Sequence, residues 1–208
     1  MTRLIKKNYA IRQMATIFIT GSADGLGQLA AKALIAQGHE VVLHARNEKR
    51  GQEALDSAPG AESVVTADLA NIDETKQLAS KVNALGKFDA VIHNAGLYQA
   101  SAEEIFAVNT LAPYILTCLI QRPERLVYLS SGMHLQGRAK LESIKTNISH
   151  ITYSDSKLHV LMLCMAVARN GLRFTPMQLT LVGFLQRWAG KVLLMICKRD
   201  TRRRFGLL

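Results

Sequence analysis

The sequence predicts an α/β fold: a doubly wound parallel sheet with helices on both faces and C-terminal strands that are incomplete or irregular. Three observations carry that reading. Short β-prone runs alternate with helix-period runs up to about residue 170 of 208, giving five β units separated by short breaks. The first run, Thr16-Ile-Phe-Ile-Thr20, feeds straight into Gly21, Gly25 and Gly27 and then into a helix pattern. Clusters rich in glycine or polar residues fall just after each predicted strand, along the edge where such sheets bind ligands.

Taken in order, Leu29, Ala30, Ala33 and Leu34 continue from the glycines at helical spacing, and Gly38 stops that helix. Glu40–Ala45 is a second buried strand, with Arg46-Asn47 at its end. Glu48 to Leu55 make a short helix closed by Pro59-Gly60. Ser63–Thr66 is a third strand, ending at Ala67-Asp68-Leu69. Glu74 to Leu85 is amphipathic through Leu78, Val82 and Leu85, and Gly86 ends it. Phe88–His93 is a fourth strand, followed by Asn94-Ala95-Gly96. A long helix covers about Ala102 to Leu119, and Pro113 inside it removes the usual partner of the Asn109 carbonyl, which predicts a kink. Leu126–Ser130 is a fifth strand. Ser154 to Arg169 is a helix made apolar nearly all round by Leu158, Leu161, Met162, Cys164 and Met165, hence buried on several sides. With no repeat or low-complexity linker, one domain spans 14–170, preceded by an extension (1–13) and followed by an atypical basic segment (171–208). Met14, directly before the first strand, competes with Met1 as the start.

Composition narrows the function classes. The net charge of +10 sits at the ends: Arg3, Lys6, Lys7 and Arg12 without an acid at one, seven basic residues against Asp200 over 186–208 at the other. The balanced body between them offers no basic face and no base-reading motif, so no nucleic acid is expected. The longest apolar run, Leu158 to Val167, is too short to cross a bilayer, and the first 14 residues lack the apolar core of a secretion signal. No membrane partner is expected. Cys118, Cys164 and Cys197 are scattered in apolar runs, which reads as core thiols in a reducing, cytoplasmic setting. The six histidines show no metal spacing and read as structural or exposed; no metal is expected.

The glycine corner, spaced G-x-x-x-G-x-G, opens a helix N-terminus whose N–H groups and dipole suit a pyrophosphate. Where a fold of this kind places an acid to bind a ribose 2′-OH, this chain has Arg46, which favours a 2′-phosphate and so NADP over NAD, with Ser22 able to add a hydrogen bond. Tyr153 and Lys157 stand one helical turn apart, so the ammonium is expected to lower the phenol's pKa and let Tyr153 exchange a proton nearer neutral pH. Ser131, at the end of strand five, is placed to donate to the same substrate oxygen. The freed Asn109 carbonyl is placed either as a plain kink or as the holder of a water that links Lys157 to solvent.

Together Thr20-Gly-Ser-Ala-Asp-Gly-Leu-Gly27, Asp68-Leu69, Asn94-Ala-Gly96, Asn109, Ser131 and Tyr153-x-x-x-Lys157 make the chain resemble the short-chain dehydrogenase/reductase family over about residues 15 to 170. The resemblance implies hydride transfer between a nicotinamide and a small-molecule carbonyl or alcohol. Tyr153 would be the general acid/base, Ser131 would polarise the carbonyl and Lys157 would hold the nicotinamide ribose. Asn109 would serve the proton relay. Gly21, Ser22, Asp24, Gly25, Leu26, Gly27, Arg46, Asp68 and Leu69 would hold the adenine half. Asn94, Ala95 and Gly96 would border the cofactor and steady the sheet. Family pairing of the Asn109 and Tyr153 helices implies a homodimer or homotetramer.

Past Asn170 the resemblance ends. Met177–Val182 could imitate a strand, but no Pro-Gly turn follows, and the Arg-rich end is unlike a sheet edge. Reading the codons of Thr180 to Gln186 from the last base of each permits Pro, Gly, Trp, Val, Pro and Thr, which resembles the missing turn. The expectation is a frameshifted tail that leaves the substrate pocket unfinished. The alternative function is therefore a catalytically impaired NAD(P)-binding protein.

Overall fold

The computed structural model describes residues 14–169, 172–175 and 192–199. Five strands form a parallel sheet in the order β3-β2-β1-β4-β5: β1 (Thr16–Ile19), β2 (Glu40–Ala45), β3 (Ser63–Thr66), β4 (Ala90–His93) and β5 (Arg125–Ser131). Strand alternation sorts their side chains. Phe18 lies opposite Val42 and Val91, while Ile17 and Ile19 pair with Val41, Leu43 and Ala90, so each set points to one face.

The Phe18 face is covered by α3 (Ile72–Ala84), α5 (Ala112–Leu119) and α7 (Tyr153–Arg169), through Leu78, Val82, Leu116 and Val160. The Ile19 face is covered by α1 (Gly25–Ala36) and α2 (Glu48–Ser57), through Ala31 and Ala54. Each large side chain buried in this way contributes about 1.5–3 kcal/mol. On α2 a small residue sets the approach: a Cβ at Gly51 would stand 3.1 Å from the Thr66 methyl. Helix starts follow local chemistry. Asn47 accepts from the Arg50 N–H, and Asn71 accepts from the Asp73 and Glu74 N–H groups, which starts α3 two residues earlier than periodicity alone indicates.

The helix expected over 102–119 is broken. α4 (Ala102–Phe106), held by a Ser101/Glu104 capping box, runs into a π-helical turn at Ala107–Leu111 before α5 begins. The Ala112 N–H reaches back five residues to the Ala107 carbonyl. Pro113 then occupies the first turn of α5, where a missing N–H costs nothing. The anticipated kink is thus a widened turn. α6 (Leu141–Thr146), not anticipated, lies in the connection between β5 and α7.

The C-terminal strands are irregular, as the sequence predicts. β6 (Leu172–Thr175) and β7 (Val192–Arg199) extend the sheet in the order β5-β7-β6, both pairings antiparallel. The basic end, read as unlike a sheet edge, nevertheless supplies β7 between β5 and the edge strand β6: its Val-Leu-Leu-Met-Ile-Cys run is β-prone, and the arginines gather after it. The parallel sheet therefore carries an antiparallel margin. Residues 1–13, Met177–Val182 and the other residues of the tail fall outside the described residues. Among the described residues no helix is long and apolar enough to cross a membrane.

Candidate active site

A cleft of about 1300 Å³ runs along the carboxyl ends of the five parallel strands. Its glycine corner turns through Gly21 (φ 61°) and Gly25 (φ 52°), in the left-handed region that a side chain disfavours. Gly27 does not line the cleft. A Cβ there would collide with the Gly21 carbonyl oxygen and with Asn94 Nδ2, so this glycine lets α1 close onto the corner. Asn94 ties the corner to β4: its Nδ2 donates to the carbonyls of Thr20 (3.0 Å) and Gly21 (2.7 Å), and its N–H donates to Thr20 Oγ1. Gly21, Asp24, Gly25 and Leu26 face the cleft, as do Asn94, Ala95 and Gly96.

At the β2 and β3 ends, Arg46, Asp68 and Leu69 line the cleft, and Arg46 is exposed. Ser22 does not. Its hydroxyl is fully buried, donates to the Ile19 carbonyl at 3.0 Å and accepts from the His44 N–H at 2.9 Å, so it has turned inward as a link between β1 and β2. The hydrogen bond foreseen from Ser22 to a 2′-phosphate is thereby corrected. His44, read from sequence as merely structural or exposed, is buried and lines the cleft. Its Nδ1 accepts from the Gly21 N–H at 3.0 Å, and its Nε2 faces the Ala67 carbonyl at 3.1 Å. The carbonyl requires a proton on Nε2 and the amide requires a bare Nδ1, so the ring is neutral. Burial agrees, pushing its pKa down to about 4.

At the β5 end, Ser131, Tyr153 and Lys157 line the same cleft. α7 is fastened to β5 by Ser130 Oγ, which donates to the Lys157 carbonyl at 2.9 Å. Lys157 Nζ donates to the Leu129 carbonyl at 3.1 Å and lies 5.4 Å from the Tyr153 ring centre. Burial lowers the Lys157 pKa to about 8. The expected lowering of the phenol by this ammonium does not hold. Burial pushes Tyr153 up, the Ser131 hydroxyl offsets part of that, and Tyr98 adds to it. Tyr98 was missed from sequence: its ring meets Tyr153 edge-on at 4.9 Å between centres, and it is 58% exposed.

Asn109 stands behind the cleft, not in it. Its side-chain Oδ1 accepts from the Leu97 N–H at 2.7 Å, while Nδ2 donates to the Leu97 carbonyl and to Ser156 Oγ. It thereby joins the strand-four loop to α7 through the π turn. A Cβ on Gly96 would sit 3.2 Å from Lys157 Nζ and 3.4 Å from Asn109 Oδ1, so the glycine keeps that crevice open. The start of α7 is fixed by Asp155, which accepts from the N–H groups of Arg138 and Thr152 and from Thr152 Oγ1, and pairs with Lys140 at 2.8 Å.

The family model for short chain dehydrogenases matches residues 15–174. Over 168 residues the chain is 52% identical to the uncharacterized oxidoreductase AN7799 of Emericella nidulans, covering 76% of this chain and 65% of that one. It is 42% identical over 171 residues to the short-chain dehydrogenase chyC of Penicillium rubens, covering 76% and 66%. The match thus spans just under two-thirds of these relatives' length. The solved short-chain dehydrogenase from Sphingobium yanoikuyae in complex with NADPH shares the fold, with a TM-score of 0.59 at 21% identity over 76% of this chain and 66% of that one. A glycine corner, a Ser–Tyr–Lys group on one cleft and the span of the family match lead to one conclusion: this chain belongs to the short-chain dehydrogenase family.

Proposed function

We propose that the chain is an NADP-dependent oxidoreductase that moves a hydride between the nicotinamide and a carbonyl or secondary-alcohol carbon. The observation that carries this is the convergence of Ser131, Tyr153 and Lys157 on the cleft that begins at the glycine corner and Arg46. The residues present fit the cofactor. The cleft exceeds the roughly 300–1,000 Å³ of drug-sized sites, its corner exposes backbone where a pyrophosphate would lie, and a cation ends β2.

In this reading the Gly21 to Leu26 backbone and the α1 N-terminus hold the pyrophosphate. Arg46 holds the 2′-phosphate, and Asp68 and Leu69 border the adenine. Asn94 to Gly96 flank the ribose that Lys157 binds. When bound, the nicotinamide supplies or accepts the hydride. Tyr153, its pKa raised, is protonated at neutral pH and gives its proton to the substrate oxygen, to which Ser131 also donates a hydrogen bond. Lys157 is charged below about pH 8 and therefore available to the ribose hydroxyls at neutral pH. Pro113 offers no N–H to the Asn109 main-chain carbonyl four residues earlier, and a water on that carbonyl would be the route from Lys157 to solvent.

The test is NADPH oxidation across a carbonyl panel together with fluorescence titration. Tyr153→Phe should lower turnover by about 10²–10⁴-fold while leaving NADPH affinity within about twofold; retained turnover removes Tyr153 from this role. A second reading, a nucleotide-binding protein without catalysis, is favoured by the end of the family match at residue 174. Binding of NADPH with no turnover on any carbonyl would select it.

A further inference from the structure

Two charges meet across the mouth of the cleft. Asp24 occupies the N-cap position of α1 with extended backbone, where an aspartate ordinarily accepts from its own helix, yet it makes no such bond. Its Oδ2 accepts instead from the Arg50 guanidinium, 26 residues away on α2, whose other terminal nitrogen donates to Glu53 at 2.6 Å. The Asp24 side chain is 77% exposed and that of Arg50 38%, a setting in which an ion pair adds little to stability. Asp24, Arg46 and Arg50 all line the cleft. A pair worth little to the fold and placed at the binding edge is easily exchanged.

We propose that Arg50 is a second, specificity-determining cation for the 2′-phosphate of NADP, and that Asp24 competes with that phosphate for it. This rests on the reading of the cleft as an NADP site. The planar guanidinium accepts a phosphate as readily as a carboxylate. Glu53 keeps one nitrogen anchored, so only the Asp24 partner need be replaced. The released carboxylate turns to solvent, where 77% of its side chain is already exposed. Two acids against two arginines leave this cluster near neutral, so removing Asp24 strengthens its pull on a phosphate.

Calorimetric titration of the intact chain with 5′-AMP and 2′,5′-ADP tests this, because the two probes differ only in the 2′-phosphate and neither needs the nicotinamide half. Wild type is expected to bind 2′,5′-ADP more tightly. Arg50→Gln should weaken 2′,5′-ADP about tenfold, the worth of one charge-assisted hydrogen bond, with AMP unchanged; the AMP affinity also reports that the variant has folded. Asp24→Asn should tighten 2′,5′-ADP by about threefold and lose that gain when combined with Arg50→Gln. Equal weakening of both probes by Arg50→Gln, or an unchanged ratio in both variants, overturns the assignment while leaving the cofactor reading intact. Failure of wild type to bind either probe removes both.

Discussion

His44 and His93 are buried in neutral form, and this sets how the fold responds to acid. Burial pushes their pKa values down to about 4 and about 3. The unfolded chain takes up these protons from about pH 6.5 downward, so the folded state loses stability over that range until its own histidines titrate. Asp155 acts in a lower window. Burial pushes its carboxyl up, but Lys140 and the Arg138 and Thr152 donors outweigh this and hold it at about 2. Its contribution is present above its ordinary value of 3.8 and is lost as the pH falls from there towards 2. The urea midpoint is therefore expected to fall from about pH 6.5 and more steeply below about pH 4. His93→Phe, which keeps the ring stacked on Tyr128 and removes the unpartnered Nδ1, should flatten the upper part of that curve. A midpoint constant between pH 6.5 and 4.5 would overturn this. At this scale the sequence was legible where spacing is local, as for Tyr153 and Lys157 or the glycines. It was opaque for His44, whose partners lie 23 residues before and 23 after it. Ser22 misled because its place in the glycine corner says nothing of which way its hydroxyl turns.

Among the elements, the connection between β5 and α7 bears most directly on the candidate site. Asp155, buried and with donors from Arg138, Thr152 and Lys140, fastens residues 138–152 to the first turn of α7, two residues from Tyr153. His159 adds a tie to the Ala139 carbonyl at 2.6 Å. Asp155→Ala leaves two backbone donors without their acceptor and Lys140, which keeps the His150 carbonyl, without its counter-charge; it should cost about 3–5 kcal/mol, read by urea unfolding. In the fraction that remains folded, turnover should fall more than NADPH affinity, because Tyr153 loses its anchor while the glycine corner, on other elements, keeps its own. Equal losses in both would remove the connection from this role. The five parallel strands were readable because each is a short apolar run bounded by turn residues. Pro113 announced an interruption of the long helix but not its form, since a π turn depends on how Asn109 meets Leu97 and Ser156. β7 was hidden by the arginines that follow it, and its antiparallel direction has no local signature.

On the scale of the whole molecule, the family match and the charge distribution divide the chain at nearly the same place. The match ends at residue 174, and the basic excess of the C-terminal end lies beyond it. A frameshifted tail predicts that the coding DNA for Thr180 to Gln186, read from the last base of each codon, spells Pro-Gly-Trp-Val-Pro-Thr. Sequencing decides this: any other spelling makes the tail a divergent end in its own right. The outcome also bears on catalysis: a chain that carries the shifted reading should turn over carbonyls faster than this one, read by NADPH oxidation of the two side by side. Family, sheet and candidate site were legible up to about residue 170 because their signals recur at fixed distances along the chain. Beyond it, composition alone remained.

The side-chain ties at the head of the sheet have a consequence for how a nucleotide arrives. Asn94 joins the first and fourth strands, Ser22 the first and second, and His44 reaches from the first loop to the third. The landing surface is thus laced before any guest is present, and its disorder was surrendered during folding, not on binding. If the cleft takes NADP as proposed, capture should resemble a key entering a finished lock, with the exchange of Asp24 for phosphate at Arg50 as the adjustment left to make.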